Sequence, residues 1–179
     1  MSKNAQVVLG VTASIAIYKS CDIIRRLKEK GCCVRVVMTK EAEELIRPIV
    51  FQSLSGNNVC GNMFETPDGG EIEHISLAEN ARVILIAPAT ANVIAKLAAG
   101  ICDDLLTSVV LATKVPIILA PAMNEQMYRN PITQGNIARL KKEGMRFVGP
   151  KKGLLACGKT GVGCLAEVET IVEAVRTVL

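Results

Sequence analysis

The chain has 179 residues, half of them apolar and only 3% aromatic, with no Trp and a net charge of +4. That length suits one compact domain over residues 1–179 with an aliphatic core. The mild, dispersed charge and few aromatics argue against nucleic acid as a partner, and no apolar run is long enough to span a bilayer.

Seven Cys, one His and no CxxC pair argue against a disulfide framework and against a metal site. A mean hydropathy of +0.34 is high for a soluble monomer. The excess apolar surface is expected to be covered between copies of a homo-oligomer. The first residues lack a leader pattern, so a cytoplasmic chain with reduced thiols is expected.

In chain order, 6–11 reads as a buried strand and Thr12-Ala13-Ser14 as its turn. Apolar residues at helical spacing predict a helix over 15–30, stopped at Gly31. A strand over 33–38 ends at Thr39-Lys40, and helices follow over 41–46 and 48–54. The stretch 57–70 is irregular, with a turn at 66–70. A helix over 73–80, a strand over 83–87 and a helix over 90–99 come next. Asp103-Asp104 opens a helix to about 112. Ile117 to Ala120 reads as a buried strand that Pro121 ends. A short turn over 125–128, a helix over 132–143 and a strand over 145–148 follow. The stretch 149–163, rich in Gly and Lys, reads as loop, and a final helix covers 167–179. Strands alternating with helices predict an α/β fold: one open parallel sheet with helices on both faces, Rossmann-like.

Two of these strands end alike, in Ala87-Pro88-Ala89-Thr90 and Ala120-Pro121-Ala122-Met123-Asn124. In such sheets ligands sit at the carboxyl ends of strands, so the two ends suggest two walls of one pocket. Ser14 starts a helix after the first strand and suits a phosphate, or is simply its N-cap. There is no GxGxxG, and Thr39-Lys40 stands where an NAD site wants an acid, which disfavours NAD. Thr90 is a cap or a ligand contact. Asn124 is a cap, or a carboxamide whose two donors meet a carboxylate. His74 is structural, or a base at a helix start. Cys157, between glycines and next to Lys159, is the thiol best placed to be exposed. Cys21, Cys32, Cys33, Cys60 and Cys102 read as packing.

Six segments in order carry a resemblance: 10–15 (GVTASI), 74–78 (HISLA), 88–92 (PATAN), 99–107 (AGICDDLLT), 121–124 (PAMN) with Asn130-Pro131, and 155–158 (LACG). Over about 6–166 the chain resembles the homo-oligomeric flavin-containing cysteine decarboxylases. The resemblance implies FMN, held by Ala13, Ser14 and Ile15, by Thr39, by Thr90, Ala91, Asn92 and Val93, and by Ala122. It implies His74, Asn124 and Cys157 as active-site residues, with Asn124 and Leu154 on the substrate and Cys157 as proton donor. It also implies a homotrimer, or trimers assembled into a homododecamer, with the site between subunits. The expected reaction is decarboxylation of 4′-phosphopantothenoylcysteine to 4′-phosphopantetheine in coenzyme A synthesis, through a thioaldehyde and an enethiolate that the flavin reduces.

Lys159 and Cys164-Leu165 depart from a pattern that many relatives share, an acid after Ala-Cys-Gly and Arg-Met after the last Gly. A synthetase domain or protein is a further partner that bacterial relatives often carry. The alternatives are decarboxylation of a peptide's C-terminal cysteine, a flavin prenyltransferase, and a non-catalytic flavin-binding regulatory subunit.

Overall fold

Alternation along the first strand decides the architecture. Val7, Leu9 and Val11 point to one face of a sheet, where they meet Ile23, Ile24 and Phe51. Val8 points to the other, with Ile84, Ile94 and Leu106. The computed structural model describes residues 5–63 and 72–179. The expected turn at 66–70 lies outside them.

In chain order the elements are β1 (Gln6–Val11), a 3₁₀ turn (Ile15–Tyr18), α1 (Lys19–Glu29), β2 (Cys33–Met38), α2 (Lys40–Glu43), α3 (Pro48–Ser55) and α4 (Glu73–Asn80). There follow β3 (Val83–Ala89), α5 (Ala91–Ala99), α6 (Leu105–Ala112), β4 (Ile117–Pro121), α7 (Glu125–Arg129) and α8 (Pro131–Lys142). The chain closes with β5 (Arg146–Phe147), β6 (Lys151–Leu154), β7 (Thr160–Cys164) and α9 (Val168–Arg176).

The sheet has five strands in the order β2-β1-β3-β4-β5, all parallel. β3 is buried at every position, as a parallel strand covered on both faces requires. Helices α1, α3 and α9 cover one face, and α4, α5, α6 and α8 the other. Each buried aliphatic side chain contributes about 1.5–3 kcal/mol against leaving it in water. Gly10 lets α6 approach β1: a Cβ there would stand 2.5 Å from Leu106 Cδ1. The strand order reverses between β1 and β3, and there a crevice opens at the carboxyl ends.

Three expectations change. The helix predicted over 15–30 is a 3₁₀ turn followed by α1, because Ser14 caps it and Ile17 N bonds back only three residues, to Ser14 O, at 2.9 Å. The helix predicted over 41–46 is only Lys40–Glu43. The loop predicted over 149–163 is largely a hairpin: β6 and β7 pair antiparallel, Gly153 opposite Gly161 and Leu154 opposite Thr160. Its glycines hid the alternation that marks a strand. They stand there because other atoms come close: a Cβ on Gly163 would lie 2.1 Å from Met123 O.

Candidate active site

The loops after β1, β2, β3 and β4, closed over by the β6–β7 hairpin, surround one cleft of about 940 Å³. That lies at the upper end of the usual range for small-molecule sites. Two hydrogen bonds join the loop after β1 to the end of β3 and the loop beyond it: Thr12 Oγ1 donates to Pro88 O at 2.7 Å and accepts from Thr90 N at 3.1 Å. Three hydroxyls at the rim are helix caps. Ser14 accepts from Ala16 N, Thr39 from Ala42 N and Thr90 from Val93 N, at 3.3–3.4 Å. Capping does not use up these starts, since the first amides of a helix have no partner within it. Ala13, Ser14 and Ile15 line the cleft with Thr39, and so do Thr90, Ala91, Asn92 and Val93 across from them.

The wall from β4 carries Ala122, Met123 and Asn124. Asn124 caps α7: its Oδ1 accepts from Gln126 N at 2.8 Å. The cap uses the oxygen only, which leaves the two N–H groups of Nδ2 to a ligand, and the residue is exposed. Both readings of Asn124 are therefore compatible in one side chain.

Leu154, Leu155 and Cys157 line the cleft from the hairpin. Cys157 is exposed at the tip. The tip is tight: Gly158 N donates to Leu155 O at 2.9 Å and Gly158 has φ +80°. The hairpin docks on the Asn124 segment, where Met123 N donates to Gly163 O at 3.0 Å and Glu125 Oε1 accepts from Val162 N at 3.3 Å. The Val162 amide, with Arg129 at 3.0 Å, holds the Glu125 carboxyl below the usual carboxylate range.

The structure brings Asn124, Cys157 and Leu154 together with every residue predicted to hold the cofactor. It does not bring His74. That residue is half-buried on the first turn of α4 and is absent from the cleft of its own chain. Its neighbour Glu73 is turned to Cys60, whose thiol burial pushes up to about 11, with the Glu73 contact adding to it. Cys102, expected to pack, is exposed, and Cys164 lines the cleft.

Other lining residues had no signal in the sequence. Lys96 is one, held by Asp103 at 2.7 Å and Asp104 at 3.0 Å. Asp104, within the 99–107 segment of the resemblance, carries no expected role beyond the opening of α6, which it is, in a capping box with Thr107. Burial raises the Asp104 pKa, but the Thr107 amide and hydroxyl and Lys96 outweigh it and hold the group lower. Among the described residues no group of three or more His, Cys, Asp or Glu could hold a metal ion. No described helix is long and apolar enough to cross a membrane.

The family described as Flavoprotein matches residues 1–179. A probable phosphopantothenoylcysteine decarboxylase of Streptococcus mutans is 46% identical over 96% of this chain and 97% of that protein. The coenzyme A biosynthesis bifunctional protein CoaBC of Vibrio vulnificus is 49% identical over 90% of this chain but only 40% of its own length. The chain thus spans about two-fifths of that bifunctional relative. Among solved structures, a cysteine-to-serine mutant of PPC decarboxylase complexed with pantothenoylaminoethenethiol matches with a TM-score of 0.87, at 31% identity over 97% of both chains. The FMN-dependent cysteine decarboxylase SpaF matches with a TM-score of 0.84, at 31% identity over 97% of this chain and 98% of that one.

Proposed function

Because the chain belongs to the Flavoprotein family, we propose that it is an FMN-dependent decarboxylase of 4′-phosphopantothenoylcysteine, forming 4′-phosphopantetheine in coenzyme A synthesis. The observation that carries this is the meeting of Asn124 and Cys157, 33 residues apart in sequence, on one cleft. A carboxamide and a thiol are the groups needed to hold a carboxylate and to protonate the carbon it leaves.

The residues present fit FMN. Hydroxyls and free amides at three helix starts suit a phosphate and the polar edge of a ring. Ala122, Met123, Leu154 and Leu155 supply an apolar wall. Ala13, Ser14, Ile15, Thr39, Ala122 and the segment from Thr90 to Val93 would hold the cofactor. When bound, FMN supplies a sink that takes two electrons from the CH₂–SH end of the substrate and returns them, so that turnover is redox-neutral.

The protein's own residues do the rest. Asn124 orients the carboxylate with the two N–H groups its cap leaves over, and Leu154 packs on the substrate. Once the C–C bond to CO₂ has broken, the Cys157 S–H proton passes to the carbon that lost it. A C–H bond replaces the C–C bond, and the thiolate regains a proton from water. The hairpin over the cleft keeps water from the reacting carbon. His74 serves the cleft of a neighbouring copy in a homo-oligomer, a trimer or trimers of a dodecamer. Its absence from its own cleft supports this, as do exposed apolar side chains such as Ile49, Ile72 and Ile132. The compartment is the cytoplasm, where reduced thiols persist.

Incubation with FMN and 4′-phosphopantothenoylcysteine, followed by mass spectrometry, is expected to show loss of CO₂ and a saturated thiol product. An unchanged substrate beside a decarboxylated cysteinyl peptide would give the reaction to the alternative substrate instead.

A further inference from the structure

We propose that Glu125 is a positioning residue for the proton donor: its carboxylate latches the β6–β7 hairpin onto the segment that carries Asn124, and so sets Cys157 over the cleft. This rests on the decarboxylase reading for the role of Cys157, though the latch itself rests on geometry alone.

Glu125 is the first residue of α7, where an acid would ordinarily serve the helix dipole. Its side chain instead reaches β7. Oε1 accepts from Val162 N at 3.3 Å, across 37 residues of sequence, and from Arg129 Nε at 3.0 Å. β7 is shaped to receive it. A Cβ on Gly161 would stand 2.4 Å from Glu125 Oε2, and one on Gly163 would stand 2.1 Å from Met123 O. Gly161 and Gly163 are buried although the strand lies at the surface. Two glycines on one strand thus make room for two neighbours on one segment, Met123 and Glu125, which flank Asn124.

A two-stranded hairpin is marginal by itself and takes its order from what it docks on. Here the dock consists of the Met123–Gly163 bond and the Glu125 carboxylate. Glu125 does not line the cleft, so it acts on chemistry only through the loop it holds.

The test compares Glu125→Ala with Glu125→Gln, which keeps a carbonyl to accept from Val162 N. In the FMN-loaded protein with 4′-phosphopantothenoylcysteine in air, where O₂ reoxidises any flavin left reduced, Glu125→Ala is expected to raise the share of unsaturated, decarboxylated product about tenfold, the scale of one lost charge-assisted hydrogen bond. CO₂ release should stay within about threefold, because Asn124 remains in place. Glu125→Gln is expected to restore most of the saturated product. Amide exchange without substrate gives a readout independent of turnover: it should speed up across 155–164 in Glu125→Ala and nowhere else. Wild-type exchange in that hairpin overturns the latch. So does faster exchange across the whole sheet, or CO₂ release falling in step with saturated product. If the wild-type protein releases no CO₂ from this substrate, the decarboxylase reading fails, and hairpin exchange alone decides the latch.

Discussion

Asn124 gives its oxygen to the fold as a cap, which leaves the nitrogen for the ligand contact proposed above. Asn124→Asp tests the division. An aspartate still accepts from Gln126 N, so melting temperature and FMN binding are expected to hold. Its charge would face the carboxylate of the proposed substrate, and kcat/KM should fall by about 10²–10³-fold, the scale of one lost transition-state donor. Undiminished turnover would leave Asn124 as a cap alone. Cys157→Ser separates the two halves of the reaction. In air, where O₂ reoxidises the flavin left reduced, it should still release CO₂ but accumulate an unsaturated product, since a hydroxyl is a far weaker acid than a thiol. Normal phosphopantetheine at full rate would remove Cys157 from the donor's role. Side-chain chemistry made both residues visible in the sequence, as a carboxamide at a strand end and a thiol in a glycine-rich loop. Glu125 was not visible, because nothing local distinguishes an acid that serves its own helix from one that crosses to another element.

At the level of elements, the β6–β7 hairpin and the α6 cap each carry a prediction. Gly163 has φ +153° and a Cβ position 2.1 Å from Met123 O. Gly163→Ala must therefore push β7 off the Asn124 segment. It is expected to cost about 1–3 kcal/mol of stability and most of the saturated product. Denaturant melts and product analysis measure the two effects. Asp104 caps α6 and accepts from Thr107 and Lys96, which lower its pKa in the fold despite partial burial. A group depressed by folding contributes stability that is present above its unfolded pKa of about 3.9 and is lost as pH falls through the folded one. Asp104→Asn should remove that part of the acid dependence. The wild-type protein should lose more stability between about pH 5 and 3 than the variant does. Parallel acid curves would show the cap to be independent of charge. Most helices and sheet strands could be read from periodicity because their apolar faces obey the geometry of one element. The hairpin could not, because its glycines answer to atoms of another element.

For the whole molecule, the placement of His74 carries the strongest expectation. If each cleft draws its imidazole from a neighbouring copy, then His74→Asn and Cys157→Ser proteins, each impaired alone, should complement when co-assembled. Equal mixing would restore about a quarter of wild-type turnover, the share of sites that draw both halves intact. No recovery in a mixed oligomer would remove His74 from the site. The yellow colour of bound FMN and the elution volume of the purified protein check the cofactor and the assembly separately.

The sequence by itself determined most of the sheet and helices, the aliphatic core and the strand ends that face the crevice, because each follows from local spacing and side-chain type; most residues around the crevice came from the ordered set of segments that carries the family resemblance. Only the tertiary structure decided the hairpin, its docking through Met123, Glu125, Gly161 and Gly163, the Lys96–Asp104 pair at the cleft and the absence of His74 from its own cleft. Those depend on which distant segments come within a few ångströms of each other, and no local pattern encodes that distance.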